Sequence, residues 1–109
     1  KRLIILDFKY PWKEVLMKYP EPLFVICSDI EGWKLNAVKK NILTFENRKD
    51  LPKVWAGKRD EEFQKITGVS DAIFCHNKKF LAVAKTKEGI LKLASLALNE
   101  VSEVDETKN

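Results

Sequence analysis

A chain of 109 residues with 45% hydrophobic content is long enough for one domain with a real core and too apolar for a disordered segment. Its longest branched-aliphatic run, Leu3-Ile4-Ile5-Leu6, is strand-length, which excludes a membrane helix of the usual ~18–20 apolar residues. The net charge is +4, and the last ten residues set Glu100, Glu103, Asp105 and Glu106 against Lys108, so the rest of the chain is more basic than the total, a balance that suits a polyanionic partner but is also ordinary for solubility alone.

Arg2 to Phe8 reads as a buried strand. Pro11 suits a first helical turn, where its missing N–H costs nothing. Trp12, Val15, Leu16 and Tyr19 then follow the i, i+3, i+4, i+7 spacing of an amphipathic helix, which Pro20 and Pro22 end. Leu23 to Ser28 is a second apolar strand, Asp29 to Gly32 a turn, and Trp33 to Val38 an alternating, half-exposed strand, so the two form a hairpin. Lys39 to Gly57 has no sustained period and is expected to be a long ordered loop, a kind that often carries function. Asp60 is expected to cap a helix running to Thr67, with Glu61 and Glu62 at its positive end, Phe63 and Ile66 facing the core and Gly68 as the stop. Ala72 to His76 and Phe80 to Ala84 form a second hairpin around Asn77-Lys78-Lys79. Thr86 caps the last helix, whose inner face holds Ile90, Leu93, Ala94 and Ala97. Residues 102–109 are polar and acidic and are expected to be a disordered tail, leaving 1–101 as a single domain. The order β-α-β-β-loop-α-β-β-α predicts an α+β fold: an antiparallel or mixed sheet of about five strands with helices packed on one face.

Chemistry is sparse. Cys27 and Cys75 sit in apolar runs, as buried free thiols do, and two cysteines with one histidine make neither a disulfide framework nor a zinc site. That usage predicts a reducing, intracellular setting. His76 is the one imidazole, and Cys75 beside it on a strand points to the opposite face, so no nucleophile–base pair is readable. The chain has no Gly-rich phosphate loop, paired-His motif or Asp cluster. Basic and aromatic residues, by contrast, crowd the first hairpin and the long loop: Trp33, Lys34, Lys39, Lys40, Arg48, Lys49, Lys53, Trp55, Lys58 and Arg59. Lysine and arginine neutralise phosphates and exposed aromatics stack on unpaired bases. Equally, tryptophans pin loops to cores and lysines solvate them. His76 has the same two readings, a hydrogen-bonded surface residue or a donor to phosphate.

The stretch FENRKDLPKVWAGKRDEEFQKITGVSDAIFCH, followed by KKFLAVAKTKEGILKLA, resembles the C-terminal region of the Myg (melanocyte proliferating gene) family. These are metal-dependent hydrolases related to the DHH phosphoesterases, and members act as exonucleases on RNA. The similarity runs from about Trp33 to Ala94 and is weaker in PWKEVLMKYPE upstream. It implies that this chain is the C-terminal part of a longer protein. The metal-binding Asp and His residues, with manganese or magnesium, would lie in a missing N-terminal catalytic domain, and no cofactor belongs to this segment. The chain opening on Lys1 directly in a strand pattern fits that expectation. In related enzymes a C-terminal domain helps hold the substrate. Here His76, Lys85, Thr86, Glu88 and Gly89 agree with the family segment, but Ala82 and Val83 stand where paired glycines are usual. The substrate-binding residues implied are His76, Lys85 and Thr86, joined by Arg48, Lys49, Trp55 and Arg59 from the loop. Val83, branched at Cβ, predicts an ordinary ladder with no positive φ at Ala82 or Val83, and an anion placed near His76, Lys85 or the Thr86 cap. Arg59 is expected to fork onto loop carbonyls. The expected function is a non-catalytic accessory domain that partners the catalytic domain and binds single-stranded nucleic acid weakly, RNA ahead of DNA. The alternative is a structural or protein-interaction domain packed on the catalytic domain or on a second subunit.

Overall fold

LIIL, FVICSD, GWKLNA, AIFC and LAVA, rich in β-branched, aromatic and small apolar residues, form the strands of one five-stranded sheet in the computed structural model of the chain. The structure describes residues 2–6, 12–30, 32–41 and 43–99. The expected continuation of the first strand to Phe8, the Pro11 helix start and the acidic tail lie outside the described residues. In chain order the elements are β1 (Leu3–Leu6), α1 (Lys13–Leu16), β2 (Phe24–Asp29), β3 (Gly32–Ala37), a 3-10 turn at Lys53–Trp55, α2 (Asp60–Thr67), β4 (Ala72–Cys75), β5 (Leu81–Ala84) and α3 (Lys87–Asn99). The sheet order is β1-β2-β3-β5-β4, with β1 parallel to β2 and all other pairs antiparallel. This is the expected α+β fold with a mixed sheet.

Alternation along the strands divides the apolar residues between two faces. Phe24, Ile26, Leu35, Ala82 and Ala84 join Phe63 of α2 and Ile90, Leu93, Ala94 and Ala97 of α3 in the main core. Val25 belongs instead to a second cluster with Leu16 and Val38, which Trp12, Met17, Ile4 and Leu6 flank. Helices α2 and α3 thus share one face, as expected, and α1 covers the other. β1, expected to be a buried strand, is instead a half-covered edge strand with Ile5 43% exposed. Its parallel partner β2 is buried through Phe24, Val25, Ile26 and Cys27, so the pair needs cover on both sides. The helix that crosses between its strands supplies the second cover.

Three local expectations are corrected. Helix α1 is one turn, with Leu16 buried but Val15 and Tyr19 45% and 55% exposed, so its apolar stripe is Trp12, Leu16 and Met17. Asp60 does not cap α2. The capping position is Arg59, extended at φ −151°, and Asp60 follows with φ 51°. The backbone of Arg59 forms an antiparallel bridge with Phe74, so the chain must turn sharply off the sheet edge into the helix, a step that aspartate tolerates better than most residues. Ile66 is 41% exposed, while Phe63 is fully buried and Gly68, left-handed at φ 74°, ends the helix as expected. The long loop carries structure of its own, a bridge between Lys39 and Asn47 and the 3-10 turn, and it buries Leu51 and Trp55. Ala82 and Val83 pair with Leu35 and Lys34 in register, neither with positive φ, and the irregularity in this hairpin falls on β4 between Ala72 and Phe74.

Candidate nucleic-acid interface

Where β3 ends and β5 begins, four segments enclose a groove of about 550 Å³, within the roughly 300–1,000 Å³ of ligand pockets. Helix α1 and its cap give Trp12, Lys13 and Met17, and β3 gives Asn36 and Ala37. The following loop gives Lys39, Asn41 and Phe45, and the β4–β5 turn gives Lys78 and Phe80. Among the described residues the lining therefore contains three lysines and three aromatic rings but no carboxylate.

The loop wall is tied down from several sides. Arg48 N donates to Val38 O at 2.8 Å and Lys40 N to Glu46 O at 2.9 Å. Asn47, a buried polar side chain, donates from Nδ2 to Asp50 Oδ1 at 2.9 Å and to Lys79 O at 3.3 Å. Its Oδ1 accepts from Lys39 Nζ at 3.1 Å. The same ammonium donates to Phe45 O at 3.2 Å and lies 4.9 Å from the centre of the Phe80 ring. Lys39 is thus a strut across the groove. Burial, and after it the Lys13 ammonium, holds Lys39 below the ordinary lysine value, against an opposing pull from Asp50. Replacing Lys13 with alanine should raise the Lys39 pKa part of the way back, because the repulsion goes and the burial stays. NMR titration of the Lys39 side chain reads this, and an unmoved or lowered midpoint would refute the coupling. An anion bound in the groove should shift the midpoint in the same upward direction.

Of the residues singled out in the sequence, His76 reaches this region. Its ring lies 4.4 Å from that of Phe80, and its Nδ1 accepts from Lys78 N at 3.1 Å, which leaves Nε2 to carry the proton in the neutral form. Lys85 and Thr86 do not join it. They lie at the other end of β5, the length of a four-residue strand away, roughly 13 Å. There Thr86 caps α3 by accepting from Gly89 N at 3.0 Å. It also donates to Asp71 Oδ2, from N at 2.8 Å and from Oγ1 at 2.5 Å. The seat reserved for an anion at this helix end is filled by the chain's own carboxylate. Arg48 reaches three carbonyls around the end of α1: Nη1 donates to Tyr19 O at 2.6 Å and Pro22 O at 2.8 Å, and Nη2 to Leu16 O at 3.0 Å. The carbonyl fork expected of Arg59 therefore belongs to Arg48, and Arg59 instead lays its guanidinium 5.2 Å from the centre of the Phe74 ring on the edge strand. Lys49 is half-buried outside the groove lining. Trp55 is 3% exposed and packs edge-on against Phe63, so its ring has no open face for a base.

Asp71 also explains a glycine. A β-carbon at Gly89 would stand 2.6 Å from Asp71 Cγ, so the carboxylate can sit over the helix end only because position 89 has no side chain. Gly89→Ala should cost about 1–2 kcal/mol by pushing the carboxylate off its donors. In an Asp71→Ala background the same change should be neutral or stabilising by up to about 1 kcal/mol, the ordinary helix preference for alanine. A double-mutant cycle of denaturation curves measures this, and additive effects would contradict it.

No three His, Cys, Asp or Glu side chains come together to hold a metal among the described residues. Burial pushes the Cys75 thiol up to about 12, with Lys79 pulling weakly the other way, so at neutral pH it is a packed thiol and not a nucleophile. No helix among the described residues is long and apolar enough to cross a membrane. The groove offers charge and ring contacts.

The sequence signal for the groove was partial. Lys39 stood out in the basic cluster, whereas Trp12, Lys13, Phe45, Lys78 and Phe80 come from segments whose proximity only the fold creates.

Residues 1–98 match the family model described as "Uncharacterised protein family (UPF0160)", the MYG1 exonuclease family. A MYG1 protein of Dictyostelium discoideum is 38% identical over 106 residues, covering 90% of this chain and 32% of its own length. The MYG1 exonuclease of Homo sapiens is 35% identical over 100 residues, covering 84% of this chain and 27% of its own length. That of Mus musculus is 34% identical over 96 residues, 81% of this chain and 25% of its own. No solved structure matches. The chain thus spans about a quarter to a third of the length of these relatives. The resemblance read from the FENR…CH stretch is borne out, and this chain belongs to the MYG1 exonuclease family.

Proposed function

We propose that this chain is the accessory, substrate-holding domain of a longer exonuclease-family protein, and that it holds single-stranded nucleic acid, RNA ahead of DNA. Bond breaking then falls to a separate catalytic domain, N-terminal to these residues, with a divalent metal such as manganese or magnesium. The observation that carries the reading is the groove, which among the described residues combines three lysines and an exposed phenylalanine with no carboxylate. The relative length of the family members supports it, since they have room for a catalytic domain beside this segment.

Two measurements on the 109-residue chain test the proposal. With manganese or magnesium present it should not hydrolyse single-stranded RNA, single-stranded DNA or a simple phosphodiester. Turnover lost on mutating one of its own residues would defeat the assignment. It should also bind a single strand weakly and through charge. With two or three phosphates neutralised, affinity should fall by roughly 7- to 20-fold between about 50 and 200 mM salt. No binding at low salt, or binding indifferent to salt, would move the assignment to a protein-docking domain, which the exposed tip at Leu43 and Phe45 would then serve.

A further inference from the structure

Three of the four side chains in the FENR stretch have partners within the chain. Glu46 pairs with Lys40 at 3.2 Å, Asn47 ties Lys39 to Asp50 and the Lys79 backbone, and Arg48 holds the carbonyls that follow α1. Phe45 is different. Its ring is 93% exposed although its carbonyl is fixed by Lys39, so a large apolar surface is held out in water at the lip of the groove. Such a ring gains nothing from the fold. Trp12 and Met17, half-buried against the second cluster, give the same groove apolar lining. Lys13 and Lys78 are both exposed and both line the groove, one from α1 and one from the β4–β5 turn. A planar, apolar ring carrying a negative charge matches this lining. A protein partner matches it less well, because the cores of protein interfaces are depleted in lysine.

We propose that the groove is a nucleotide subsite, in which an unpaired base stacks on Phe45 against the wall of Trp12 and Met17 while its phosphates meet Lys13 and Lys78. This rests on the reading that the chain holds single-stranded nucleic acid, and it adds where the strand is gripped and that the base, not only the backbone, is recognised. Lys39 acts as a positioning residue, since its ammonium already serves Phe45 O, Asn47 Oδ1 and the Phe80 ring. The two amides in the lining offer a mixed polar edge to the base. Asn36 donates from its amide nitrogen to Val25 O and Cys27 Sγ, and Asn41 Oδ1 accepts from Leu43 N, so toward a ligand the Asn36 oxygen serves as acceptor and the Asn41 nitrogen as donor.

The test uses the full-length protein that carries this chain, with a chelator present to stop hydrolysis. Binding of a short oligouridylate is compared with binding of an abasic ribose-phosphate strand of equal length. The base-bearing strand should bind about tenfold tighter or more. Phe45→Ala should bring it down to the abasic level, and Phe45→Trp should keep the preference. The abasic strand and its salt dependence should be unchanged by either variant. Because Phe45 buries almost nothing, the alanine variant does not endanger the fold. Equal binding of the two strands, or a base preference that Phe45→Ala leaves intact, would overturn the subsite while leaving the nucleic-acid reading in place. Failure to bind either strand at low salt would overturn both. A change in melting temperature or self-association on Phe45→Ala would show that the ring packs against protein, and would overturn the subsite as well.

Discussion

Replacing Trp55 with alanine is expected to lower the unfolding free energy by about 3–5 kcal/mol, the usual cost of emptying a core site of that size. The indole is 3% exposed and belongs to the main cluster with Leu51, Phe63 and Cys75. Its ring meets Phe63 edge-on at 5.5 Å and 74°, an arrangement that adds to the area buried. The 3-10 turn that carries it has little room to collapse into the gap. Pro52 starts the turn, and Gly57 N and Lys58 O on its far side bond to Cys75 of the edge strand at 3.1 and 2.9 Å. Chemical denaturation measures the loss, and a change under about 1 kcal/mol would deny the ring its place in the core. Strand binding, titrated where the variant is still folded, should match the parent. A base-stacking Trp55 would show the reverse, with affinity falling and stability kept.

The parts of the fold legible in the sequence are those whose signal is local. The runs FVICSD and AIFC announce strands by a few adjacent apolar residues, and the α3 stripe of Ile90, Leu93, Ala94 and Ala97 carries its helical period within a few turns. All three form as elements, although the break in the ladder between Ala72 and Phe74 has no signal in AIFC. Gly68 and Thr86 mark helix ends by mechanisms that need no distant partner. Asp60 failed as a cap because a distant partner intervened: the bridge from Arg59 to Phe74 decides where the chain leaves the sheet. The second side of the sheet failed for a related reason. LIIL reads as a buried run, yet β1 lies at the sheet edge and is only half-covered, and α1 is too short to announce itself by period.

The site was less legible than the fold. Charge clustering drew attention to residues 39–59, but the fold sends those side chains in different directions. Trp55 goes to the core, Arg59 to the edge strand, Arg48 to α1 and Lys39 to the groove. Proximity in sequence along a loop does not imply a shared surface, and the groove's remaining walls come from residues 12–17, 36–37 and 78–80. Family likeness pointed to the segment from His76 to Gly89. The structure splits that segment between two ends of one hairpin, and at the far end Asp71 stands where a phosphate was expected.

Arg48→Ala is expected to destabilise the chain by about 2–3 kcal/mol, since hydrogen bonds to a charged group are worth more than neutral ones and three carbonyls lose their donor together. Leu16, Tyr19 and Pro22 lie 32, 29 and 26 residues away in sequence, so the guanidinium fastens the turn after α1 to the loop over a long separation. Lysine is a poor replacement, because one ammonium cannot span the fork between Leu16 O and Pro22 O, and Arg48→Lys should recover less than half of the loss. The mutation also reaches the groove indirectly. Helix α1 presents Trp12 and Lys13, and an untethered α1 offers them less of the time, so strand affinity should fall without Arg48 ever touching the strand. Two readouts separate this from direct contact. A strut predicts faster amide hydrogen exchange at Leu16 and Tyr19 and an unchanged salt slope. A phosphate ligand predicts unchanged exchange and a slope shallower by about 0.7, the share of one phosphate on a single strand. The second outcome would restore Arg48 to the binding residues and remove it from the frame.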